Sequence, residues 1–520
     1  MLPPIPTGGT RLAAPDPTPL DAPFGPNVRA SENAVLGNQN EITMAVASDG
    51  RIHMGWNDLQ STNPDYRCGY AYSTDGGATW SANRLFHMPP YDADGDPVVV
   101  VDSNNVVYFI CMAFYRSGGS EVISYRSADG GVTFAPGVVV SDTTNGFNDK
   151  PWAHAVGTTV YACWTNFVGG GTEFRYTFSA DGGATWAPSR VLDYNGQGCT
   201  FAHNDAGNLY AAWQRGNNIY AFRSLDGGGT WGTGAHFVGG APFTDSPNQR
   251  AYNMPSLAAN RATSGVYAVW TANDGAGGWD VRFSGSTDGA ITWSSPVVVN
   301  DVRTGHQFMP SIGVDVGGTL HVAWYDDRSG LMAVRYASSS NGGSSWLASL
   351  RVTDMEGPTT YFLGDYITLV ADATSHVNVG WADYRSGENE AYFARSSLAG
   401  PPRLARIDVT PSEAWTDADT AVTFTASGFN QYGQLFPINP NWQATGGSIA
   451  SGSYFPDAMG DWQVWANESG VSGTAVVHVA PGALARIEVV PADATISADD
   501  SQLYGAMGFD AHGNPRTITP

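Results

Sequence analysis

The sequence predicts an all-β protein whose larger part is a seven-bladed β-propeller, followed by β-sandwich modules, and three observations predict it. An octet, STDGGATW at residues 73–80, returns as SADGGVTF from Ser127, SADGGATW from Ser179, SLDGGGTW from Ser224, STDGAITW from Ser286 and, weaker, SSNGGSSW from Ser339. Apolar runs ending in tryptophan recur at Trp56, Trp164, Trp213, Trp270, Trp324 and Trp381, with Cys111 replacing the tryptophan once, a repeat of about 55 residues. Between them fall 63 Gly and 31 Pro, against 12% aromatic and 14% charged residues, the composition of many short strands and turns.

Each tryptophan run follows another apolar run, near EITMAV, DPVVVV, KPWAHA, GCTFAH, MPSLAA, MPSIGV and DYITLV, and each of the first six precedes a third run that ends in the octet. Three or four short strands per repeat is the sequence form of a propeller blade. The last repeat has three strands but no octet. The N-terminal FGPNVRASENAVLGNQNEITM resembles the passage WSSPVVVNDVRTGHQFMPSI between two blades, so residues 26–31 are expected to supply the missing outer strand and remove an exposed sheet edge. The octet itself reads as a turn: Gly-Gly permits positive φ, Asp accepts backbone N–H groups across the turn, and the final aromatic packs between sheets.

Beyond the propeller, LARIDVTP (404–411) returns as LARIEVVP (484–491), and GFNQYGQ (428–434) as GFDAHGN (508–514), the mark of a tandem β-sandwich module. The expected domains are an N-terminal extension (1–24), the propeller (25–399), one Ig-like sandwich (400–483) and a partial second copy (484–520). Half a sandwich leaves its core open, so a longer natural chain is expected, with the modules as spacers of a secreted or surface-anchored protein.

A net charge of −23 with no basic patch argues against a nucleic-acid partner. No 18-residue apolar stretch suggests a membrane span. MLPPIPTGG has neither the basic nor the apolar part of a secretion signal, so an extracellular location would require a signal already removed. Cys68, Cys111, Cys163 and Cys199 lack CxxC spacing, and Cys111 and Cys163, inside apolar runs, read as buried thiols. Lys150 is the one lysine; nearly all other positive charge is arginine.

The octets resemble the S-x-D-G-G-x-T-W Asp box (BNR repeat) of sialidase-like propellers, over residues 26–399, and the C-terminal repeats are similar to bacterial Ig-like modules. The resemblance implies a propeller and a glycan substrate. It implies six blades as the alternative to seven, since sialidases usually have six. Sialidases open their first inner strand with R-I-P, whose arginine binds the substrate carboxylate; here N-E-I-T-M-A-V puts Glu41 at that place, so their arginine triad does not transfer.

In a propeller the inner-strand starts and second-strand ends share the face opposite the octets. The inner-strand starts are Glu41, Asp96, Lys150, Gly198, Met254, Met309 and Asp365. Glu41, Asp96 and Asp365 are candidate acid/base groups for glycoside hydrolysis, or oxygen ligands for calcium, or partners of Lys150 and Arg116. Lys150 is a candidate substrate contact or an ion-pair partner of Asp96 or Asp149. Two residues beyond the tryptophan register stand Asp58, Asp326 and Asp383; Asp58 joins the catalytic candidates and Asp326 the substrate-binding ones. Three RSG loops bring Arg116, Arg328 and Arg385, either an alternative arginine cluster for an anionic sugar or arginines tied to their own loops. Tyr361, near Glu356, resembles the late sialidase tyrosine nucleophile, with sugar stacking as its plainer role.

The leading expectation is a secreted glycoside hydrolase needing no cofactor, with calcium as an option. A non-catalytic propeller binding glycan, protein or calcium is the alternative; a polysaccharide lyase and a self-associating cell-surface component are further ones.

Overall fold

The structure is a computed structural model, and it describes residues 24–31, 37–60, 63–142, 145–244, 250–359, 362–396, 403–430 and 435–519. The chain divides into two compact units, Met1–Pro401 and Pro402–Pro520. No helix occurs among the described residues, and none is long and apolar enough to cross a membrane.

Among its described residues the first unit has seven four-stranded antiparallel sheets. The first sheet runs Gly37–Val46, Ile52–Gln60, Asn63–Ser73, Arg84–Phe86, in chain order. Five more repeat this pattern. The seventh, Thr368–Ala371, Val377–Asp383 and Glu390–Arg395, takes its fourth strand from the other end of the unit: Val28 lies opposite Phe393 and Arg29 opposite Tyr392. Ala30 N donates to Ala391 O at 2.8 Å, and Ser31 Oγ donates to Glu390 at 2.8 Å, fastening this crossing. Each first strand packs on the next, and Thr368–Ala371 packs on Gly37–Val46, so the sheets form a closed cycle around a channel of about 420 Å³. The arrangement is that of a β-propeller.

The tryptophan register occupies the second strand of each sheet. Trp56, Trp164, Trp213, Trp270, Trp324 and Trp381 are all at most 1% exposed. A buried tryptophan removes about 150–250 Å² from water, roughly 4–6 kcal/mol each as an upper bound. These rings fill the wedges between sheets.

The octets form one hydrogen-bonded turn repeated along the unit. In the first, Ser73 Oγ donates to Asp75 (2.8 Å), Gly77 N donates to Ser73 Oγ (2.9 Å), and Thr79 donates to Asp75 through both its N–H (2.9 Å) and its hydroxyl (2.6 Å). Asp129, Asp181, Asp226 and Asp288 make the same bonds, and Asn341 a reduced version. The threonine hydroxyl bond, with the backbone and serine bonds behind it, holds the carboxyls of Asp75, Asp181 and Asp226 down to about 2. The second glycine of the turn then meets the neighbouring sheet. At Gly77 (φ 91°) any Cβ would collide with the Phe393 ring of the seventh sheet, and at Gly131 (φ 85°) with the Tyr70 hydroxyl of the first. Each octet thus presses its sheet onto the preceding one.

The cysteines correct one expectation. Cys163 is bonded to Cys199, joining the second strand of the third sheet to the first strand of the fourth, with Cα atoms 6.3 Å apart. Their 36-residue separation hid a contact that exists because adjacent sheets place these strands side by side. Cys111 is a buried thiol beside Cys68.

In the second unit, Leu404–Thr410 pairs with Thr425–Asn430, and a four-stranded sheet runs in the order Glu413–Asp417, Val471–Ala480, Gly460–Glu468, Asn441–Ala444. Ile407, Val409, Phe424, Tyr454, Val464 and Val477 form its core. The 80-residue repeat is visible in detail: Leu484–Val490 pairs with Gly505–Asp510 as Leu404–Thr410 does with Thr425–Asn430, with the same register shift, and Arg406 over Phe429 recurs as Arg486 over Phe509. Ile407 and Val409 are 4% and 6% exposed, whereas Ile487 and Val489, their counterparts, are 53% and 50%.

The octet packing is testable by comparing two glycines of positive φ. Gly118→Ala, in open space at φ 107°, is expected to cost about 1 kcal/mol of backbone strain. Gly77→Ala should cost a further 1–3 kcal/mol or so from overpacking against Phe393. Denaturant unfolding of both variants measures the difference.

Candidate functional site

The octets and the inner-strand starts lie at opposite ends of the sheets. Ser73, which opens the first octet, pairs with Ile52 at the start of the second strand, while Asn40, near the start of the first strand, pairs with Asn57 towards the end of the second. At that second end, five of the inner strands slip register: between Asn40 and Thr43, Gly95 and Val98, Asp149 and Trp152, Gln197 and Thr200, and Phe308 and Ser311. Each slip contains a residue of positive φ: Glu41 (56°), Asp96 (50°), Lys150 (51°), Gly198 (68°) and Met309 (49°). Four of these are not glycine, and such a conformation costs roughly 1–3 kcal/mol per residue. The bulges re-aim these side chains from the alternating pattern of the strand towards the channel mouth.

The mouth holds one ammonium among carboxylates. Lys150 Nζ forms an ion pair with Asp365 Oδ2 and lies 5.2 Å from the Tyr252 ring centroid. Its backbone N–H donates to Asp96 Oδ2 at 3.2 Å and Asp149 Oδ1 at 3.0 Å. Asn57 organises the other side, donating to Glu41 Oε2 (2.9 Å) and accepting from the Asp96 N–H (2.8 Å). Glu41, Asp96 and Asp365 are buried.

So many buried carboxyl groups cannot all ionise. Burial, then the charges of Asp96 and Asp365, push Glu41 well above the usual carboxylate range, and it hydrogen-bonds to Asp96. Burial acts on Asp96 in the same direction, but Lys150 and the hydrogen bonds from Glu41 and Asp149 outweigh it and hold Asp96 below its usual value. Asp149 is pushed up to about 7, chiefly by burial and by Asp96 against the opposing pull of Lys150. Burial works against the Lys150 charge, but Asp365, Asp149, Asp96 and Glu41 overcome it and raise the ammonium well above the usual lysine range. The cluster therefore keeps a proton on Glu41 beside an ionised Asp96.

Sequence reasoning missed Arg250. It approaches Asp365 Oδ1 at 3.5 Å, donates to the Tyr252 hydroxyl at 3.0 Å and stacks 4.4 Å over Phe362. It lies in the connection 241–255, between His236–Gly240 and Ser256–Ala259; the connection 352–367 into the seventh sheet is as long, so nothing in the sequence singled Arg250 out. Tyr66 was missed likewise. Burial raises its phenol, the Glu41 carboxyl adds to this, and the Arg116 and Arg250 guanidinium groups oppose it. A cavity of about 60 Å³ at the mouth is lined by Lys150, Trp152, Tyr252, Met254, Met309 and Asp365, among others. Asp365 Oδ1 is buried without a hydrogen-bond partner.

Other candidates are placed elsewhere. Asp58 accepts the Trp56 indole N–H (3.0 Å) and the Asn83 amide (2.9 Å). Asp326 holds Trp324 in the same way (3.1 Å), as Asp383 holds Trp381 (2.8 Å). These aspartates anchor the tryptophan wedges rather than join the mouth. Arg328 grips Asp326 through two bonds, at 2.8 and 2.7 Å, and Asp301 through a third at 3.1 Å. Arg385 is bound to Asp383, Asp354 and Asn27. Their guanidinium groups tie loops within the fold, so the three RSG loops do not build one arginine cluster. Arg116 N donates to Asp92 (2.8 Å). Tyr361 lies outside the described residues. For calcium, the position among Glu41, Asp96 and Asp365 is taken by the Lys150 ammonium, and no group of three or more metal-binding side chains occurs among the described residues.

The sequence matches no family model and no curated protein. Among solved structures it is similar to the Hadza microbial sialidase Hz136, at 16% identity and TM-score 0.42 over 69% of this chain and 65% of that one, so it spans about two thirds of that protein's length. It is similar to the NanB sialidase from Streptococcus pneumoniae at 14% identity and TM-score 0.42, over 72% of this chain and 71% of that one. It is also similar to the α-L-arabinofuranosidase Arb93A from Fusarium graminearum at 12% identity and TM-score 0.45, over 72% and 98%. Likeness at this level assigns no activity or residue to this chain.

Two substitutions test the electrostatics. Lys150→Met should cost about 3–5 kcal/mol at pH 7, since it strips a buried charge from its partners, and less at pH 5, where Asp149 is protonated. Asp149 binds its proton more tightly folded, at about 7, than its usual 3.8, so the stability this proton contributes is complete below pH 3.8 and is lost as pH rises through 7. Asp149→Asn should abolish that decline. Melting temperatures of the parent and variant across this range check it.

Proposed function

We propose that the first unit is a seven-bladed propeller that hydrolyses glycans in the extracellular space, with its site on the face opposite the octets. The observation that carries the reading is the pairing of a proton-holding carboxyl, Glu41, with the ionised Asp96 at the channel mouth. Environments that drive neighbouring carboxyl groups apart in this way divide them into acid and base.

In the proposed reaction Glu41 gives its proton to the glycosidic oxygen as the bond to the anomeric carbon breaks. Asp365, whose Oδ1 carries no hydrogen bond, removes a proton from the attacking water or attacks the anomeric carbon itself. Asp96 holds the Glu41 proton in place until transfer. Lys150 steadies Asp365, and Arg250 with Tyr252 offers a cationic, aromatic wall to the sugar. Water is consumed across the bond, and each carboxyl regains its starting state after product leaves.

One observation favours a binding propeller instead: the mouth cavity, about 60 Å³, has room for only a few waters, and the Lys150–Asp365 pair is part of its lining. In that reading the Ig-like repeats and the propeller together form a surface adhesin.

The test is a screen of sialosides, α-L-arabinofuranosides, uronic-acid polysaccharides and neutral aryl glycosides. Turnover is expected on one class, with Glu41→Gln and Asp365→Asn each lowering kcat by about 100-fold or more while the melting transition survives. Lys150→Arg should also slow it, because a planar fork does not replace a compact ammonium. Activity should fall at alkaline pH, as Glu41 gives up the proton that it donates. Products absorbing in the ultraviolet would mark a lyase, and turnover unchanged in both carboxyl variants would defeat the assignment.

A further inference from the structure

A second surface, on Pro402–Pro520, carries its own recognition chemistry. In the sheet formed by Glu413–Asp417, Val471–Ala480, Gly460–Glu468 and Asn441–Ala444, alternate residues point inward to the core: Ala414, Ala475, Val477, Val464, Ala466 and Trp442. The opposite face of the same strands carries the residues between them, among them Trp415, His478, Asp461, Thr474, Trp465 and Gln443.

Trp415 is 70% exposed, an unusual position for a large aromatic ring, and it is not loose. It stacks on His478 with ring centroids 4.9 Å apart and planes 23° from parallel. His478 is held in turn through both nitrogens, Nδ1 to Asp461 at 2.6 Å and Nε2 to Glu413 at 3.0 Å. The indole is therefore presented flat on a braced platform. Trp465 lies on the far side of Val471–Ala480: Trp415 is opposite His478, and Trp465 is opposite Thr474. Four residues along a strand and two strand spacings across put the two rings about 16 Å apart. Between and beside them run amide and hydroxyl groups, with Asn467 donating to Gln443 at 3.3 Å and accepting from Ser472.

The four strands contain no lysine or arginine, while Glu413, Asp417, Asp461 and Glu468 make the sheet acidic. Polyanions such as nucleic acids, polyuronates or acidic membranes are repelled. A pyranose presents a C–H face that lies flat on an aromatic ring and hydroxyls around its rim that need polar partners. We propose that this face is a binding platform for a neutral polysaccharide chain, spanning from Trp415 to Trp465. The platform is independent of the propeller mouth and holds whether or not that mouth is catalytic.

The test uses the full chain with microcrystalline cellulose and chitin as solid probes, and soluble β-glucan, xylan, galactomannan and arabinan in affinity gels. Retention on at least one neutral polymer is expected, with affinity reduced about tenfold or more by Trp415→Ala and by Trp465→Ala, since an aromatic stack contributes of the order of 1.4 kcal/mol. Trp415→Phe should keep part of it, and Val316→Ala, at an exposed turn of the first unit away from the mouth, should change nothing. Retention on no neutral polymer overturns the proposal, as does retention on polyuronate alone or retention unaltered in both tryptophan-to-alanine variants. Loss in Asp365→Asn with both tryptophan variants unaffected assigns the binding to the mouth. Sedimentation showing a dimer that Trp415→Ala dissolves, with no polymer bound, makes the face a contact between copies.

Discussion

A ring of separate sheets is only as rigid as the contacts between neighbours, and here that contact is a glycine against an aromatic ring. Gly77 lies against Phe393, Gly131 against Tyr70, Gly183 against Tyr108, Gly228 against Tyr161 and Gly343 against Phe283, each octet meeting the sheet before it. A Cβ at Gly77, Gly131 or Gly343 would come within 1.9–2.1 Å of the facing ring or its hydroxyl, whereas the fifth octet places Ala290 here, buried at φ 66°. The hydrogen bonds around each aspartate keep the turn in the one shape that brings its glycine to the ring, and the buried tryptophans fill the wedge further in. Closure then depends on Val28–Arg29 completing the seventh sheet, a strand drawn from more than 360 residues away.

Once the ring closes, the starts of the inner strands have nowhere to go but towards one axis. The bulges turn Glu41, Asp96 and Lys150 inward, and the crowding that follows sets their protonation. Desolvation there is severe, and one ammonium cannot neutralise Glu41, Asp96, Asp149 and Asp365 together. The proton retained by Glu41 is a consequence of the architecture, not of any special feature of its own strand. The strain of four non-glycine residues at positive φ is maintained because the surrounding sheets leave no alternative path.

The second unit reaches a different kind of presentation. Its sheet keeps alternation throughout, apolar to the core and polar to solvent, so that a ring such as Trp415 becomes exposed by parity alone. What distinguishes it from a stray surface aromatic is the brace of His478 between Asp461 and Glu413. The propeller mouth brings charges together out of water; the flat sheet holds a ring still within it.

The linear pattern by itself determined the repeat, the octet turn, the register of the buried tryptophans and the 80-residue duplication, because each recurs within a few strands and depends on local spacing. It also pointed to Glu41, Asp96, Lys150 and Asp365, since all four occupy one register position of their repeats. It could not tell Asp58 and Asp326, which hold indole N–H groups, from carboxylates at the mouth, because the same residue two places after a tryptophan serves either end until the side chain has a direction. Only the tertiary structure paired Lys150 with Asp365 across 215 residues, added Arg250 from a connection outside the repeated strand registers, and joined Cys163 to Cys199. Those contacts lie between sheets, and closing the ring sets which sheets are neighbours and how deeply their charges are buried.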